Sequence, residues 1–303
     1  MNVPGAISAI AWQSLLADAI PEERRADALA VRSRVVTAVA FLPTLLGGYV
    51  LDALEFPIGY QLVLGVAFAS SVAEVRVLMK MREPAAAGQS PSRPMQGETS
   101  RARLPRSFMV FCLCTALFYV GWIMGAPLFT LYYVTVLEVG NLWVGAFNVI
   151  SMVVQYLVFP WWSRLARSRG SVLGLGLATA GMALTPVMIA VSPSPWLVAV
   201  FCVSMGVFTS GTTLLLLDSL LDSVPEEGRT SAIAVYNVCV NLASFVGPLV
   251  GNAVVDGAGI YWAMAACALL RGIGAASIVG FARSVAQPAS GCAQPRSARM
   301  ASL

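Results

Sequence analysis

The sequence contains no histidine and has few charged residues for its length. Only 11% of its 303 residues are Asp, Glu, Lys or Arg, whereas a soluble globular domain has roughly 25%. Without histidine the chain has no imidazole for metal binding or for general acid–base catalysis. Ser and Thr occur along the apolar stretches without a partner base, so no nucleophile–base pair is evident. We therefore expect neither a cofactor nor an enzyme activity.

The cysteines do not form a metal-binding pattern. Cys112 and Cys114 are one close pair, and no second pair follows at the spacing that a zinc site requires. We interpret the cysteines as small apolar packing residues. The basic residues occur in short runs between apolar stretches and not on one soluble face, which argues against a nucleic-acid partner.

Apolar residues make up 58% of the chain, and they are arranged in long stretches. A helix that crosses the hydrocarbon of a bilayer needs about 20 apolar residues. Eight stretches qualify: 31–51, 57–79, 107–135, 141–162, 171–191, 196–217, 230–254 and 260–282. A ninth stretch, 3–17, is too short and looks like the end of a helix. Since an isolated strand would leave backbone groups unpaired in lipid, the fold predicted is an all-α polytopic membrane helix bundle. It has about eight full transmembrane helices and an N-terminal partial helix.

The connections between the predicted spans alternate in charge. One set contains most of the arginines: Arg24, Arg25, Arg32, Arg34, the run from Arg76 to Arg106, Arg164, Arg167, Arg169, Arg229 and Arg283. The other set contains Asp52, Glu55, Glu138 and Asp256, with no Lys or Arg. This pattern follows the positive-inside rule and predicts that the first set, like the C-terminus, faces the cytoplasm.

Two stretches of the chain match each other at an offset of 204 residues. The matching pairs include Asp18 with Asp222, Pro21 with Pro225, Glu22 with Glu226, Arg25 with Arg229, Gly47 with Gly251 and Asp52 with Asp256. Each copy is a helix end, a short acidic–basic connection and a long apolar helix that ends in Asp. One copy alone indicates only a well-capped helix start, with Pro in the first turn and Glu at the positive end of the dipole. Two copies indicate two related halves that run in the same direction through the membrane.

This architecture resembles the major facilitator superfamily, in which a long cytoplasmic linker joins two six-helix halves. The segment Trp162–Gly170 is similar to the family's loop signature between helices 8 and 9. Leu165, Ala166 and Gly170 agree with that signature, while Ser163 and Arg167 stand where the family usually has Gly and Asp. The run Gly247–Gly251 (GPLVG) resembles a close-packed, kinked motif of the family.

The resemblance implies four regions. Residues 1–82 are a partial N-terminal half with the end of helix 4 and helices 5 and 6; residues 83–105 are a flexible cytoplasmic linker; residues 106–284 are a complete C-terminal six-helix half; residues 285–303 are a disordered cytoplasmic tail. If the chain starts at Met1, we expect it to be a fragment or a mis-started reading frame. An in-frame stop just upstream of Met1 would contradict that expectation.

The resemblance also implies secondary active or facilitated transport of a small solute by alternating access, as in a permease or an efflux carrier. The membrane expected is the plasma membrane, which is the inner membrane in bacteria. The alternative is a non-transporting degenerate paralogue or a membrane scaffold. Apart from the lipid bilayer, the partners expected are a neutral or lipophilic solute, because deep charges are few, and a proton or sodium as coupling ion. No carboxylate lies clearly at the bilayer midplane, so the coupling stays open.

In the family the transport path lies between the halves, and polar or aromatic residues deep in the spans are candidates for lining it. Three sets fall on single helical faces: Tyr119, Trp122, Phe129 and Tyr133; Asn148, Met152 and Gln155; and Asn237, Asn241 and Ser244. Three threonines, Thr209, Thr212 and Thr213, lie on the span 196–217. The alternative is that the amides join helices to one another, each bond being worth about 1 kcal/mol. For the threonines, hydrogen bonds to their own backbone are the favoured interpretation.

Charged residues near the predicted cytoplasmic side have two interpretations. Asp18, Arg25, Asp218, Asp222 and Arg229 form a gate cluster or are solvated loop charges, and the second is slightly favoured. Arg271 lies near the middle of the last span, where a charge costs about 3 kcal/mol. It contacts a solute or anion, or it snorkels from a peripheral or displaced helix. We expect the second, because the family's last helix is usually peripheral.

Overall fold

Eight long helices make up the described part of the chain, which covers residues 22–79, 105–223 and 229–286 of a computed structural model. They are α1 (Glu22–Ala53), α2 (Ile58–Leu78), α3 (Arg106–Thr135), α4 (Asn141–Arg169), α5 (Ser171–Ala190), α6 (Pro195–Ser223), α7 (Arg229–Ala258) and α8 (Ile260–Ala286). These ranges contain no strand, so the prediction of an all-α helix bundle is confirmed. The predicted helix end at 3–17, the linker up to residue 104 and the tail from residue 287 lie outside the described residues.

Every predicted span corresponds to a helix that is long and apolar enough to cross a membrane. The largest difference is at the start of α1, which begins at Glu22 and not at 31. Two other helices are longer at their C-terminal ends, since α4 continues to Arg169 and α6 to Ser223, beyond the predicted ends at 162 and 217. Hydropathy marks the part of a helix that lies in hydrocarbon, whereas the helix itself persists as long as its backbone hydrogen bonds do. Both helices therefore extend past the apolar layer on the same side of the bundle.

The basic residues near the ends of the described helices lie at one end of the bundle. Short connections make successive helices alternate in direction. The end that we name the basic end carries Arg76, Arg106, Arg164, Arg167 and Arg169. The opposite end, named the acidic end, carries Asp52, Glu55, Glu138 and Asp256. The arrangement agrees with the alternation of charge predicted from the connections.

Helices α3 to α8, with Ala26, Leu29 and Ala30 at the start of α1, enclose two clusters of buried apolar side chains. The cluster towards the basic end includes Phe108, Phe111, Phe118, Trp162, Leu175, Leu215, Leu220 and Ile233. The cluster towards the acidic end includes Met124, Leu128, Tyr132, Phe147, Ile189, Val198 and Met264. In lipid these side chains gain little from leaving the solvent, so close packing between the helices is what stabilises the arrangement.

Glycines allow the close packing within this bundle. A Cβ atom on Gly274 of α8 would lie 2.6 Å from the Cα of Phe118 on α3, and one on Gly247 of α7 would lie 2.7 Å from the carbonyl oxygen of Val120. Such distances are shorter than two non-bonded atoms tolerate, so only glycine fits at these contacts without moving the backbone. The close approach expected of the Gly247–Gly251 motif is confirmed.

Helix α1 docks on α4, and the two run antiparallel. The backbones approach closely where Gly48 faces Asn141, since a Cβ on Gly48 would lie 3.0 Å from the Asn141 carbonyl oxygen. Near the same end, a Cβ on Gly145 would lie 3.5 Å from the Thr44 carbonyl oxygen. Helix α2 packs on α1 over a small area and leaves most of its side chains exposed, as expected for a helix that faces lipid.

The two long helices of the repeat, α1 and α7, run in the same direction. Helix α7 is parallel to α3, because Gly247 faces Val120 and Gly251 faces Met124. Helix α1 is antiparallel to α4, which the short connection at residues 136–140 makes antiparallel to α3. The predicted common direction of the two copies is confirmed, although α1 packs on α4 whereas α7 packs on α3 and α8.

Candidate solute cavity

A cavity of about 280 Å³ lies among five helices of the α3–α8 bundle. It extends from the middle of the bundle towards the acidic end. Its walls are Trp122, Ala126, Phe129, Thr130 and Tyr133 from α3; Val144, Phe147, Asn148, Ser151, Met152 and Gln155 from α4; Met182 from α5; Met205 and Thr209 from α6; and Arg271 from α8. Among these residues none is acidic. The walls combine an aromatic side, an amide side and one cation.

The aromatic side comes from one face of α3, as predicted. Trp122, Phe129 and Tyr133 recur at helical spacing and line the cavity, and the Tyr133 ring lies 5.0 Å from that of Phe147 on α4. The fourth predicted residue, Tyr119, does not line this cavity. Its ring lies 5.2 Å from the Trp122 ring and packs against the basic-end cluster, because it sits one turn closer to that end.

The amide side comes from α4. The Asn148 Nδ2 donates to the carbonyl oxygen of Val144 at 2.8 Å, and the Gln155 Nε2 reaches the Ser151 hydroxyl at 3.4 Å. Each amide group has two donors and an oxygen acceptor, so both keep hydrogen-bonding capacity towards the cavity. The structure brings these two predicted residues together with Trp122 and Tyr133, whereas their contact with a solute stays a prediction.

The predicted residues on α7 are not part of this cavity. Asn237 is buried and its Nδ2 donates to the Ile233 carbonyl oxygen at 2.9 Å, while the Nδ2 of Asn241 donates to the carbonyl oxygen of Asn237 at 2.7 Å. These are hydrogen bonds within α7, whose residues do not line the cavity. Asn237 and Asn241 therefore share the pattern of spacing with the α3 and α4 residues but are not brought together with them, and their place on a solute path stays a prediction.

Arg271 points into the bundle and forms part of the cavity wall, so the expectation of a snorkelling side chain on a displaced helix was wrong. Only 1% of the residue is exposed. Its Nε donates to the Gly121 carbonyl oxygen at 3.0 Å, and its two terminal nitrogens donate to the carbonyl oxygens of Trp122 at 3.1 Å and Met182 at 3.2 Å. The side chain therefore joins α8 to α3 and α5.

Two local features of neighbouring helices accommodate this arginine. Pro186 lies four residues after Met182 on α5, and because proline has no N–H, the Met182 carbonyl has no helical partner. Arg271 supplies the missing donor. On α3, a Cβ atom at Gly125 would lie 2.1 Å from a terminal nitrogen of Arg271, so the glycine leaves room for the guanidinium. The guanidinium carbon also lies 5.4 Å from the centre of the Phe129 ring, within range of a cation–π contact.

At the basic end, part of the predicted charge cluster is built into helices. Asp218 lies on α6, is 5% exposed, and accepts a hydrogen bond from the Ser171 hydroxyl at 2.5 Å. Its interpretation as a solvated loop charge was therefore wrong. Asp222 is exposed, and both carboxylates border a pocket of about 520 Å³ together with Arg167. Asp18 and the side chains of Arg25 and Arg229 lie outside what the structure describes.

An ion pair that the sequence did not indicate joins the same region to α1. Arg167 of α4 pairs with Asp27 of α1, and both side chains are about half exposed. The two residues are far apart in the sequence, and neither stands in an apolar run. Helical geometry places them opposite each other because α1 and α4 are antiparallel.

The other end of the α1–α4 contact is held by a carboxylate. Asp52, in the last turn of α1, accepts hydrogen bonds from the backbone N–H of Asn141 at 3.1 Å, the Nδ2 of Asn141 at 2.8 Å and the backbone N–H of Leu142 at 2.6 Å. The first N–H groups of a helix have no partner within it, and negative charge is favourable there. Asp52 therefore caps α4. The repeat pointed to this residue, whereas its partners on α4 were not evident from the sequence.

An all-helical bundle with apolar helices of membrane-spanning length is a multi-pass membrane protein. The sequence model of the Major Facilitator Superfamily matches residues 1–217 and again residues 111–299. The chain belongs to this superfamily of membrane transporters, as its architecture predicted. A comparison with curated proteins found no match.

Proposed function

We propose that the chain transports a small solute across the plasma membrane by alternating access, with the cavity of the α3–α8 bundle as the solute site. The observation that supports this most directly is the convergence of Trp122, Tyr133, Asn148 and Gln155 on one cavity. Ligand sites in proteins are typically apolar and aromatic with a few polar groups, and this cavity has that composition. The same composition, without an acid or a nucleophile–base pair in the wall, fits a carrier better than an enzyme.

The charge distribution supports an orientation. The arginines at the basic end, including Arg164 and Arg169, favour the cytoplasmic side of the membrane. The acidic end, towards which the cavity extends, then faces outwards, and the C-terminus is cytoplasmic. We assign the protein to the inner membrane of a bacterium on the same expectation.

The proposed organisation has two related units, residues 1–82 and residues 106–284, connected by a linker at 83–105 and followed by a tail at 285–303. The common direction of α1 and α7 supports the relation between the units. Contacts between them occur where α1 lies against α4, at Asp27–Arg167 and at Asp52–Asn141. We propose that the first of these pairs, with the Asp218 region beside it, holds the cytoplasmic side closed.

Transport is tested with the full-length chain in proteoliposomes, using a panel of radiolabelled neutral and anionic amphipathic solutes. We expect saturable uptake of at least one solute above that of protein-free vesicles. Replacing Asn148 by Leu should lower that uptake by roughly fivefold, the equivalent of one hydrogen bond of about 1 kcal/mol.

The matched control is Asn241→Leu, the same chemical change at an amide that hydrogen-bonds within α7. It should leave uptake within about twofold of the original chain. Absence of saturable uptake for the whole panel would support the alternative, a non-transporting paralogue or scaffold. Repeating the uptake with a proton ionophore or without sodium would separate proton coupling, sodium coupling and facilitated diffusion.

A further inference from the structure

We propose that the cavity binds a small organic monoanion, whose charged group is bound by Arg271 and whose apolar body lies against the aromatic wall of α3. This inference rests on the proposed role of the cavity as the solute site. It replaces the expectation of a neutral solute, which was based on the scarcity of deep charges before Arg271 was placed in the wall.

The first step of the argument is the charge of Arg271. Its guanidinium is almost fully buried, and no Asp or Glu is present among the described residues that line the cavity. A buried charge is costly unless it is paired, and arginine does not lose its proton under ordinary conditions. Carbonyl dipoles of Gly121, Trp122 and Met182 offset part of that cost. None of them supplies a negative charge.

The second step is a count of donors. A guanidinium has five N–H groups in a planar fork. Three of them are occupied by the three carbonyl oxygens, which leaves one N–H on each terminal nitrogen. Two N–H groups on adjacent nitrogens of one plane match the two oxygens of a carboxylate or sulfonate.

The third step is that a purely structural role does not require a charge. The carbonyl of Met182, which Pro186 leaves without a helical partner, needs one donor, and a neutral amide such as glutamine would supply it. An arginine in the middle of a span costs about 3 kcal/mol. A ligand that carries the opposite charge would offset this cost and would account for an arginine at this position.

The remaining walls define the rest of the ligand. Phe129, Tyr133 and Phe147 offer aromatic surface, and Met152 and Met205 offer adaptable apolar surface. Arg271 is the one charged residue in the described wall, so one negative charge on the ligand is balanced and a second is not. A cavity of about 280 Å³ accommodates a compact molecule such as an aromatic or medium-chain carboxylate.

The test is equilibrium dialysis of the full-length chain in detergent against three labelled pairs: benzoate and benzamide, octanoate and octanamide, benzenesulfonate and benzenesulfonamide. Each pair shares its apolar body and differs in charge. We expect at least one anion to bind saturably and about tenfold or more tighter than its neutral partner, the ratio expected of a charge-assisted hydrogen-bonded pair. If no anion binds saturably, or if all anions bind no tighter than their amides, the proposal is wrong.

Variants assign the preference to Arg271. Arg271→Gln keeps a donor for Met182 and should remove the preference for the anion, while Arg271→Lys should retain part of it. Gly125→Ala keeps the charge but forces the guanidinium to move, so it should weaken anion binding as well. The matched control is Arg34→Gln, which removes an equal charge from an arginine that lies over the Tyr156 ring, outside this cavity. An anion preference that persists in Arg271→Gln would overturn the proposal.

Two further readouts keep the outcomes distinct. Size-exclusion elution and helical circular dichroism identify a variant that has failed to fold. If Arg271→Gln does not fold, the anion preference of Arg271→Lys and Gly125→Ala tests the proposal. Because binding is measured without vesicles, anion binding without transport would contradict the proposed function and leave this inference standing. Saturable transport of neutral amides, with no preference for the anions in dialysis, would contradict this inference and support the proposed function.

Discussion

The α1–α2 segment and the α3–α8 bundle are similarly apolar in sequence, but they differ in how their helices pack. No residue in the most apolar window of α1 is buried, whereas more than half of the corresponding window of α5 is. The bundle is packed through glycine contacts and two apolar clusters. Among the described residues, helix α1 contributes only Ala26, Leu29 and Ala30 to the basic-end cluster and is otherwise joined to the bundle along α4 and by polar groups near its two ends. Apolar composition therefore determines whether a helix enters the membrane. Small residues and polar contacts near the helix ends determine where it packs.

The largest expected effect is a disruption of the bundle by one methyl group. Gly274→Ala places a Cβ atom 2.6 Å from the Cα of Phe118, so α3 and α8 have to separate, at a cost of about 1–3 kcal/mol. We expect a clear decrease in the thermal midpoint of the detergent-solubilised protein. The matched control is Gly272→Ala on the same helix, since a Cβ there meets nothing within 4 Å. Equal midpoints for the two variants would contradict the packing described.

A smaller effect is expected when α1 loses its contact at the acidic end. Asp52→Ala removes the acceptor for the backbone N–H groups of Asn141 and Leu142, and loss of a helix cap costs about 1 kcal/mol. Hydrogen exchange at the N-terminal turn of α4 should become faster, while exchange in α5 and α8 stays unchanged. Asp256→Ala, at the equivalent and exposed position of the repeat, is the control and should alter neither region. Uniformly faster exchange would show that α1 and the bundle are not separable in this way.

The smallest effect is expected at the basic end of the same contact. Arg167 and Asp27 are about half exposed, and ion pairs of that exposure contribute about 0.2–1 kcal/mol. Arg167→Asp should lower the thermal midpoint slightly, and the double variant Arg167→Asp with Asp27→Arg should restore it. A double variant that is less stable than either single change would rule out a direct pairing.

The sequence was sufficient for the fold and for part of the cavity. The apolar runs predicted every described helix, because the thickness of a bilayer imposes a minimum length that composition alone reveals. Helical spacing correctly grouped Trp122 with Tyr133, and Asn148 with Gln155, because each pair lies on a single helix face. It could not tell which faces meet. Asn237 and Asn241 show the same spacing and hydrogen-bond within α7.

Arg271 shows most clearly what the sequence alone could not supply. Its position in the last span was evident, but its environment is made by Gly125 of α3 and Pro186 of α5, which are distant in the chain. A proline that leaves a carbonyl without its helical donor and a glycine that opens space become informative only when they are known to face a cation. The end contacts of α1 have the same origin, since Asp52 caps a helix that begins far along the chain.

The connection between α4 and α5 has a mechanical consequence. Gly170, with φ of 86°, is the single residue between the two helices. The two Cα–Cα steps from Arg169 to Ser171 span at most about 7 Å, so the adjoining helix ends stay close together. A large lengthwise shift of α4 therefore pulls α5 with it. The two helices can still pivot about this glycine. If α4 tilts against α1 and α5 moves with it as a rigid helix, Met182 is displaced, and so is the Arg271 guanidinium that donates to its carbonyl oxygen.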